Sequence, residues 1–297
     1  MKKILIIFSG NKIDSSRRGE IVNAITKNIN KNISTDIQAG YDDLVIDSIN
    51  GEINMYVGGK NLQDYNLVYF YTVKDKNRDT AGLIANFCNI NKIKFINSRE
   101  VFNLNGGKLL QKILLTSSEL STPRFYFDSK SERLSYESIS SKLGETFILK
   151  QTSSTLGKGV HKIASKVEFD AKVLEITGLK NTTEKIFFFE EFIPHTNTYR
   201  GIVTGDDCKV IIKVDLEAGG FKTNHGNAVF SNNVPEEFKA DCVKAAKIMR
   251  LEISGVDCIY NEETRKCIIL EVNKSPGITT DKPFEGDAIA ELMNSLV

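Results

Sequence analysis

Two segments near the end of the 297-residue chain constrain its fold more than any other feature: Gly255-Val256-Asp257 and Glu271-Val272-Asn273-Lys274-Ser275-Pro276-Gly277. Between them, apolar runs flank the polar stretch Asn261, Glu262, Glu263, Thr264, Arg265 and Lys266, a pattern that predicts an antiparallel hairpin. A turn centred on Thr264 places Asp257 opposite Glu271. Glu271 and Asn273 are two residues apart, so they share a strand face with each other and with Asp257. Two carboxylates about 4 Å apart repel by roughly 4 kcal/mol at an effective dielectric of about 20. A hard cation such as Mg2+ removes that penalty, takes oxygen ligands and leaves positions for phosphate. A solvated polar hairpin face is the other reading of these residues taken alone.

The first hundred residues alternate strand-like and helix-like segments. Ile4-Leu5-Ile6-Ile7-Phe8 is the continuous apolar run of a strand buried on both faces, and Ser9-Gly10-Asn11 breaks it. Ile21, Ala24, Ile25 and Ile29 carry helical spacing through residues 17–29. Strands are expected over 45–49 and 53–57 around Asn50-Gly51, then over 67–72 and 93–96, with a helix over 80–91. Such alternation favours a mostly parallel sheet.

Further on, a helix is expected over 107–118, with Lys108 at its start, and Thr122-Pro123 stops it. An extended run over 124–127 and a short helix over 135–143 lead to Phe147-Ile148-Leu149-Lys150, an apolar strand that ends in a lysine. Seven residues later Gly157-Lys158-Gly159 feeds a strand over 160–163. Glycines let backbone N–H groups approach phosphate oxygens, and lysine is a compact point charge suited to them. By default, a glycine pair is a hairpin turn and a lysine a surface residue. A helix over 236–250 carries Phe238, Val243, Ala246 and Met249 on one face.

Taken together these segments resemble the ATP-grasp superfamily, in the branch of ribosomal protein S6 modification enzymes and glutathione synthetases. The resemblance spans roughly residues 45–290. It implies an α/β chain with an N-terminal α/β lobe (1–103), a central lid (104–188) and a C-terminal antiparallel-sheet lobe (189–297). It assigns ATP to Lys108, Lys150 and the loop Gly157, Lys158 and Gly159. Phe187-Phe188-Phe189-Glu190-Glu191-Phe192-Ile193 is similar to the family's hinge strand, which puts Glu190, Glu191, Phe192 and Ile193 at the adenine. Mg2+ falls to Asp257, Glu271 and Asn273; two ions are expected, with Mn2+ able to substitute. Tyr199-Arg200-Gly201-Ile202-Val203 resembles the stretch whose arginine meets the transferred phosphate. The loop from Phe221 to Asn227 sets Lys222 and Asn224 at the γ-phosphate and metal, with His225 beside them. Two departures stand out. Gly107 precedes the first lysine where the family commonly has Asp, and Thr198 stands two before the arginine where an acid usually meets the ribose.

The implied activity is an ATP-dependent carboxylate–amine ligase that forms an amide through an acyl phosphate. A phosphotransferase on the same fold, or an ATP-binding protein without turnover, shares the nucleotide residues. Implied substrates are a carboxylate and an amine carried by a small molecule, a peptide or a protein tail. Related enzymes are often dimers or tetramers, which leaves a homo-oligomer open. A formal net charge of +1 gives no electrostatic case for nucleic acid or a membrane surface. No run approaches the ~20 apolar residues of a membrane helix, and the basic start Met1-Lys2-Lys3 leads into too short an apolar run for a signal peptide. The expected location is the cytoplasm. Cys88, Cys208, Cys242, Cys258 and Cys267 lack zinc-type spacing and are expected to be reduced, buried thiols. The chain has no nucleophile elbow and no P-loop.

Overall fold

The computed structural model describes residues 1–10, 16–49, 52–73, 75–97, 107–130, 133–152, 159–178, 187–217, 220–221, 226–231, 234–261, 263–278 and 284–297. Its first sheet is parallel, in the order β2-β1-β6-β7, from β1 (Lys2–Phe8), β2 (Ile33–Ala39), β6 (Leu67–Phe70) and β7 (Lys94–Ile96). A separate antiparallel sheet joins β3 (Leu44–Ile49), β4 (Glu52–Val57) and β5 (Lys60–Asn61). The expected parallel sheet is therefore present, with β3–β5 set apart as a hairpin extension. Successive side chains of β1 point to opposite faces. Leu5 and Ile7 pack with Ala81, Ile84 and Ala85 of α2 (Arg78–Ile90). Ile4, Ile6 and Phe8 pack with Ala24 and Ile25 of α1 (Ser16–Thr26) and with Ile289 and Met293 of α7 (Phe284–Leu296). That double burial explains the uninterrupted apolar run.

The second sheet is antiparallel, ordered β10-β9-β11-β8, from β8 (Phe125–Tyr126), β9 (Phe147–Gln151), β10 (Val160–Ile163) and β11 (Phe187–Glu191). Phe147, Leu149, Phe187 and Phe189 form one apolar face, covered by α4 (Tyr136–Leu143) and α5 (Lys166–Gly178). Strand alternation turns Ile148, Lys150, Phe188 and Glu190 to the other side.

The third sheet has the order β14-β13-β12-β15-β16, all antiparallel, from β12 (Asn197–Thr204), β13 (Asp207–Leu216), β14 (Gly226–Phe230), β15 (Ile253–Asn261) and β16 (Lys266–Asn273). Tyr199, Val203, Cys258 and Ile269 face α6 (Glu236–Ile248) and Leu115 of α3 (Lys108–Thr116). Ile202 and Ile212 face α7 through Ala288. The N-terminal sheet is locked to this one by Asn97, which adopts φ +60°, donates Nδ2 to the carbonyls of Ile253 and Lys274, and accepts the Ile253 N–H. Strand β2 and helices α5 and α7 are elements that periodicity did not single out. In α5 the exposed Val167 and Leu174 blur the apolar stripe.

All five cysteines are free and buried. Cys258 and Cys267 are not directly opposed: Cys258 pairs with Ile269 and Tyr260 with Cys267. Among the described residues no helix is long and apolar enough to cross a membrane.

Candidate active site

The hairpin β15–β16 supplies the centre of the site. Near its tip Asn261 pairs with Lys266, Tyr260 with Cys267 and Cys258 with Ile269. The turn is thus centred half a residue before Thr264, a correction to the expected position. The register then shifts by one, so that Asp257 does face Glu271. The extra residue is Leu270. A one-residue slip turns every side chain to the opposite face, so this bulge is what brings Glu271 to the side of Asp257.

Arg200 pairs across β12–β15 with Asp257. Arg200, Asp257 and Glu271 therefore form a row across three adjacent strands, on the face opposite α6. The Arg200 guanidinium grips the Asp257 carboxylate at two points, Nε–Oδ1 at 2.6 Å and Nη2–Oδ2 at 2.9 Å. Asn273 Nδ2 donates to Asp257 Oδ2 at 2.9 Å. Asn273 stands opposite Gly255. A Cβ on Gly255 would lie 3.2 Å from the Pro276 ring and 3.5 Å from Arg200 Cδ, so glycine keeps this corner open for both. Ser275 Oγ donates to the Tyr71 carbonyl at 2.5 Å, which ties the turn after β16 to the first sheet.

Helix α3 carries the basic side of the site. Its Gln111 carboxamide donates Nε2 to the Val272 carbonyl at 2.9 Å and accepts the Val272 N–H at 3.1 Å. One side chain thus completes the hydrogen bonding of an edge residue and fixes the helix against β16. Lys108 Nζ then lies 3.9 Å from Glu271 Oε2. One turn further on, Lys112 is only 2% exposed, with Nζ 2.8 Å from Glu190 Oε1. The two atoms are close but not aligned for a hydrogen bond, so charge carries the contact. Lys150 Nζ meets Glu190 Oε2 at 2.5 Å. Burial pushes the Glu190 carboxyl up, but Lys150 and Lys112 together outweigh it and hold its pKa below the usual range. Burial likewise lowers the Lys112 ammonium, against the pull of Glu190. Lys108, Gln111, Lys112, Lys150, Glu190 and Glu271 all line one narrow cleft between the second and third sheets.

The hinge residues are distributed differently. The Glu190 carboxylate is taken up by the two lysines, and its backbone lies in the ladder between Ile148 and Phe125. Glu191 is forked by Arg124 through Nε at 3.0 Å and Nη2 at 2.9 Å. Phe192 lies beneath the Lys162 ammonium, 4.1 Å from the ring centre, and the Ile193 carbonyl is 2.6 Å from His195 Nδ1. Gly159 is buried and its carbonyl accepts the Gln151 N–H. Gly157, Lys158, Lys222, Asn224 and His225 lie outside the described residues.

Periodicity missed Lys112 and Gln111. Spacing shows only that Lys108, Gln111, Lys112 and Leu115, at i, i+3, i+4 and i+7, share one helix face. Helix α3 is inverted relative to the usual pattern, burying Lys112 while Ile113 and Leu114 are 45% and 37% exposed. Among the described residues no group of three or more His, Cys, Asp or Glu side chains is arranged for a metal. Asp257, Glu271 and Asn273 instead offer two carboxylates and an amide. This oxygen-donor set suits Mg2+, which keeps several positions for water and phosphate.

An N-terminal parallel sheet followed by a four-stranded and a five-stranded antiparallel sheet, with a cleft lined by lysines and carboxylates between the last two, defines an ATP-grasp fold. The same architecture occurs in the solved ATP-grasp ligase PsnB complexed with a minimal precursor (TM-score 0.71, 14% identity, covering 100% of this chain and 99% of that one). It also occurs in D-alanine–D-alanine ligase from Bacillus anthracis complexed with ATP (TM-score 0.66, 17% identity, 100% and 95%). Residues 106–296 match the RimK-like ATP-grasp domain, and the chain belongs to that family. The resemblance drawn from the motifs is borne out. Curated relatives named "Probable alpha-L-glutamate ligase" include one from Vibrio atlanticus (strain LGP32), 25% identical over 202 residues, and one from Teredinibacter turnerae (strain ATCC 39867 / T7901), 27% identical over 202 residues. In both cases the match covers 67% of this chain and 65% of the relative, just under two thirds of its length.

Proposed function

We propose that this chain is an ATP-dependent ligase that joins a carboxylate to an amine through an acyl phosphate. The observation that carries the reading is the contact between Lys108 and Glu271, 3.9 Å apart. It sets a phosphate-type cation beside a metal-type carboxylate, in a cleft that also holds Lys150. Bound Mg2+–ATP supplies the phosphoryl group that activates the carboxylate. Asp257, Glu271 and Asn273 hold the metal, two ions in this reading, with Mn2+ able to replace them. Lys108 and Lys150, with Gly157, Lys158 and Gly159, hold the phosphates. The segment from Glu190 to Ile193 meets the base. Arg200, Lys222 and Asn224 act at the reacting phosphate. Arg200 is kept charged and oriented by Asp257, which its guanidinium grips at two points. Catalysis by such a set is positioning and charge neutralisation.

We take the lobes of this enzyme as 1–103, 104–188 and 189–297, with β11 (Phe187–Glu191) running across the second boundary. The relatives' name makes L-glutamate the first amine to try. Solved structures of this fold that contain precursor peptides make a peptide carboxylate the second substrate class to test. We read the enzyme as a cytoplasmic protein, in keeping with its five free thiols.

The test incubates the protein with Mg2+–ATP, hydroxylamine and pools of amino acids and peptides, L-glutamate included, and follows products by mass spectrometry. A hydroxamate together with ADP is expected. A phosphorylated product without hydroxamate would replace the ligase with a phosphotransferase. Nucleotide binding with no turnover on any pool would favour a binding protein.

A further inference from the structure

Glu190 is 2% exposed and is held by two ammonium groups at once, Lys112 at 2.8 Å and Lys150 at 2.5 Å. One carboxylate needs one counter-charge, so the trio carries a spare positive charge inside the protein. The two lysines are not equivalent. The Lys150 side chain is 13% exposed and lines the cleft from β9, whereas Lys112 is 2% exposed on a helix fixed through Gln111 to β16. Lys150 has an open side and Lys112 has none.

Removing one partner of a buried ion pair leaves an uncompensated charge, and that is costly. If Lys150 alone neutralised Glu190, it could not turn to a phosphate without stranding the carboxylate. We infer that Lys112 is a positioning residue that stays on Glu190 and so frees Lys150 to bind nucleotide phosphate. The inference rests on the nucleotide site of the proposed ligase. A phosphate entering the cleft meets the spare positive charge of the trio. Lys150 shifts its contact from Glu190 Oε2 to that anion, and Glu190 remains paired across the sheet boundary with Lys112. The same contact joins β11 of the second sheet to α3, which is fastened to the third, so the counter-charge comes from the opposite wall of the cleft.

The test is calorimetric titration of the full chain with Mg2+–ADP. Lys112→Met should weaken binding by about 10-fold or more, because Lys150 is then needed on Glu190. Lys112→Arg keeps the charge and should stay within about 3-fold of the original protein. Lys112→Met combined with Glu190→Gln removes both the helper and the charge that needs it, and should recover most of the lost affinity. Unchanged affinity in Lys112→Met overturns the inference. So does a double variant that matches the original in circular dichroism and melting yet stays weak, which reduces Lys112 to packing. If Lys112→Met does not fold, the other two variants decide in the same way. Absence of ADP binding in the unmodified protein would remove the nucleotide site itself, an outcome distinct from a failure confined to the variants.

Discussion

Arg200 and Asp257 are cross-strand neighbours whose side chains form a two-point ion pair, Nε–Oδ1 2.6 Å and Nη2–Oδ2 2.9 Å, next to Glu271 in the same row. Asp257 is nearly sealed, at 3% exposure, and also accepts a hydrogen bond from Asn273. The arginine is therefore aimed by the same carboxylate that is assigned to metal. The orientation of the Arg200 guanidinium and the position of the Asp257 carboxylate are set by one two-point contact.

Replacing Arg200 with Lys keeps the charge but removes the fork. Turnover in the hydroxylamine assay should fall by about 100-fold or more, while ADP affinity measured by calorimetry changes little. An unchanged kcat would remove Arg200 from the reaction.

Glu271 is half-buried on the edge strand, so Glu271→Gln keeps the shape and should fold normally. It removes one negative charge from the proposed metal set and the partner of Lys108. Turnover should be lost at ordinary Mg2+ and recover only in part at high Mg2+. Full activity at low Mg2+ would argue against a metal role.

Gln111→Leu is close in volume and deletes both hydrogen bonds to Val272. Urea unfolding should show a loss of about 2 kcal/mol, and the Val272 amide should exchange faster with solvent. A variant with unchanged protection at Val272 would mean that α3 is fixed by apolar packing alone.

A Cβ added at Gly201 would lie 2.7 Å from Cys242 Sγ and 2.8 Å from Cys208 Sγ. Gly201→Ala should cost about 1–3 kcal/mol, as overpacking does elsewhere. Adding Cys242→Ala makes room and should return part of the loss in the same urea experiment. No return would place the strain elsewhere.

The Glu190 carboxyl is pushed up by burial and pulled down further by Lys150 and Lys112, so its folded pKa lies below the ordinary value of 4.5. A group depressed in this way stabilises the fold fully above its unfolded pKa, and that contribution is lost as pH falls through the lower folded value. Stability measured in urea at a series of pH values should fall on the acid side below about pH 4.5. The fall should be shallower in Glu190→Gln. Equal acid slopes in the two proteins would contradict the ion-paired state.

Much of the local structure was legible in the residues. The apolar run of β1, the lysine near the end of β9 and the hairpin near Thr264 follow from alternation and turn composition, whereas the pairing of Asp257 with Glu271 needed the bulge at Leu270. Lys112 was not legible, because a lysine on a helix is by default solvated and nothing local marks Glu190 as its partner. Gln111 and Asn97 were equally silent. Each acts through hydrogen bonds to backbone more than 150 residues away.

The sequence by itself determined the elements and the chemistry they carry, since strand and helix periods decide which residues share a face. The tertiary structure decided which faces meet. The bulge at Leu270 chose the side on which Glu271 emerges, and the docking of α3 on β16 turned a lysine into a buried counter-charge. Both depend on contacts between distant segments, where burial makes an unpaired charge too costly to leave alone.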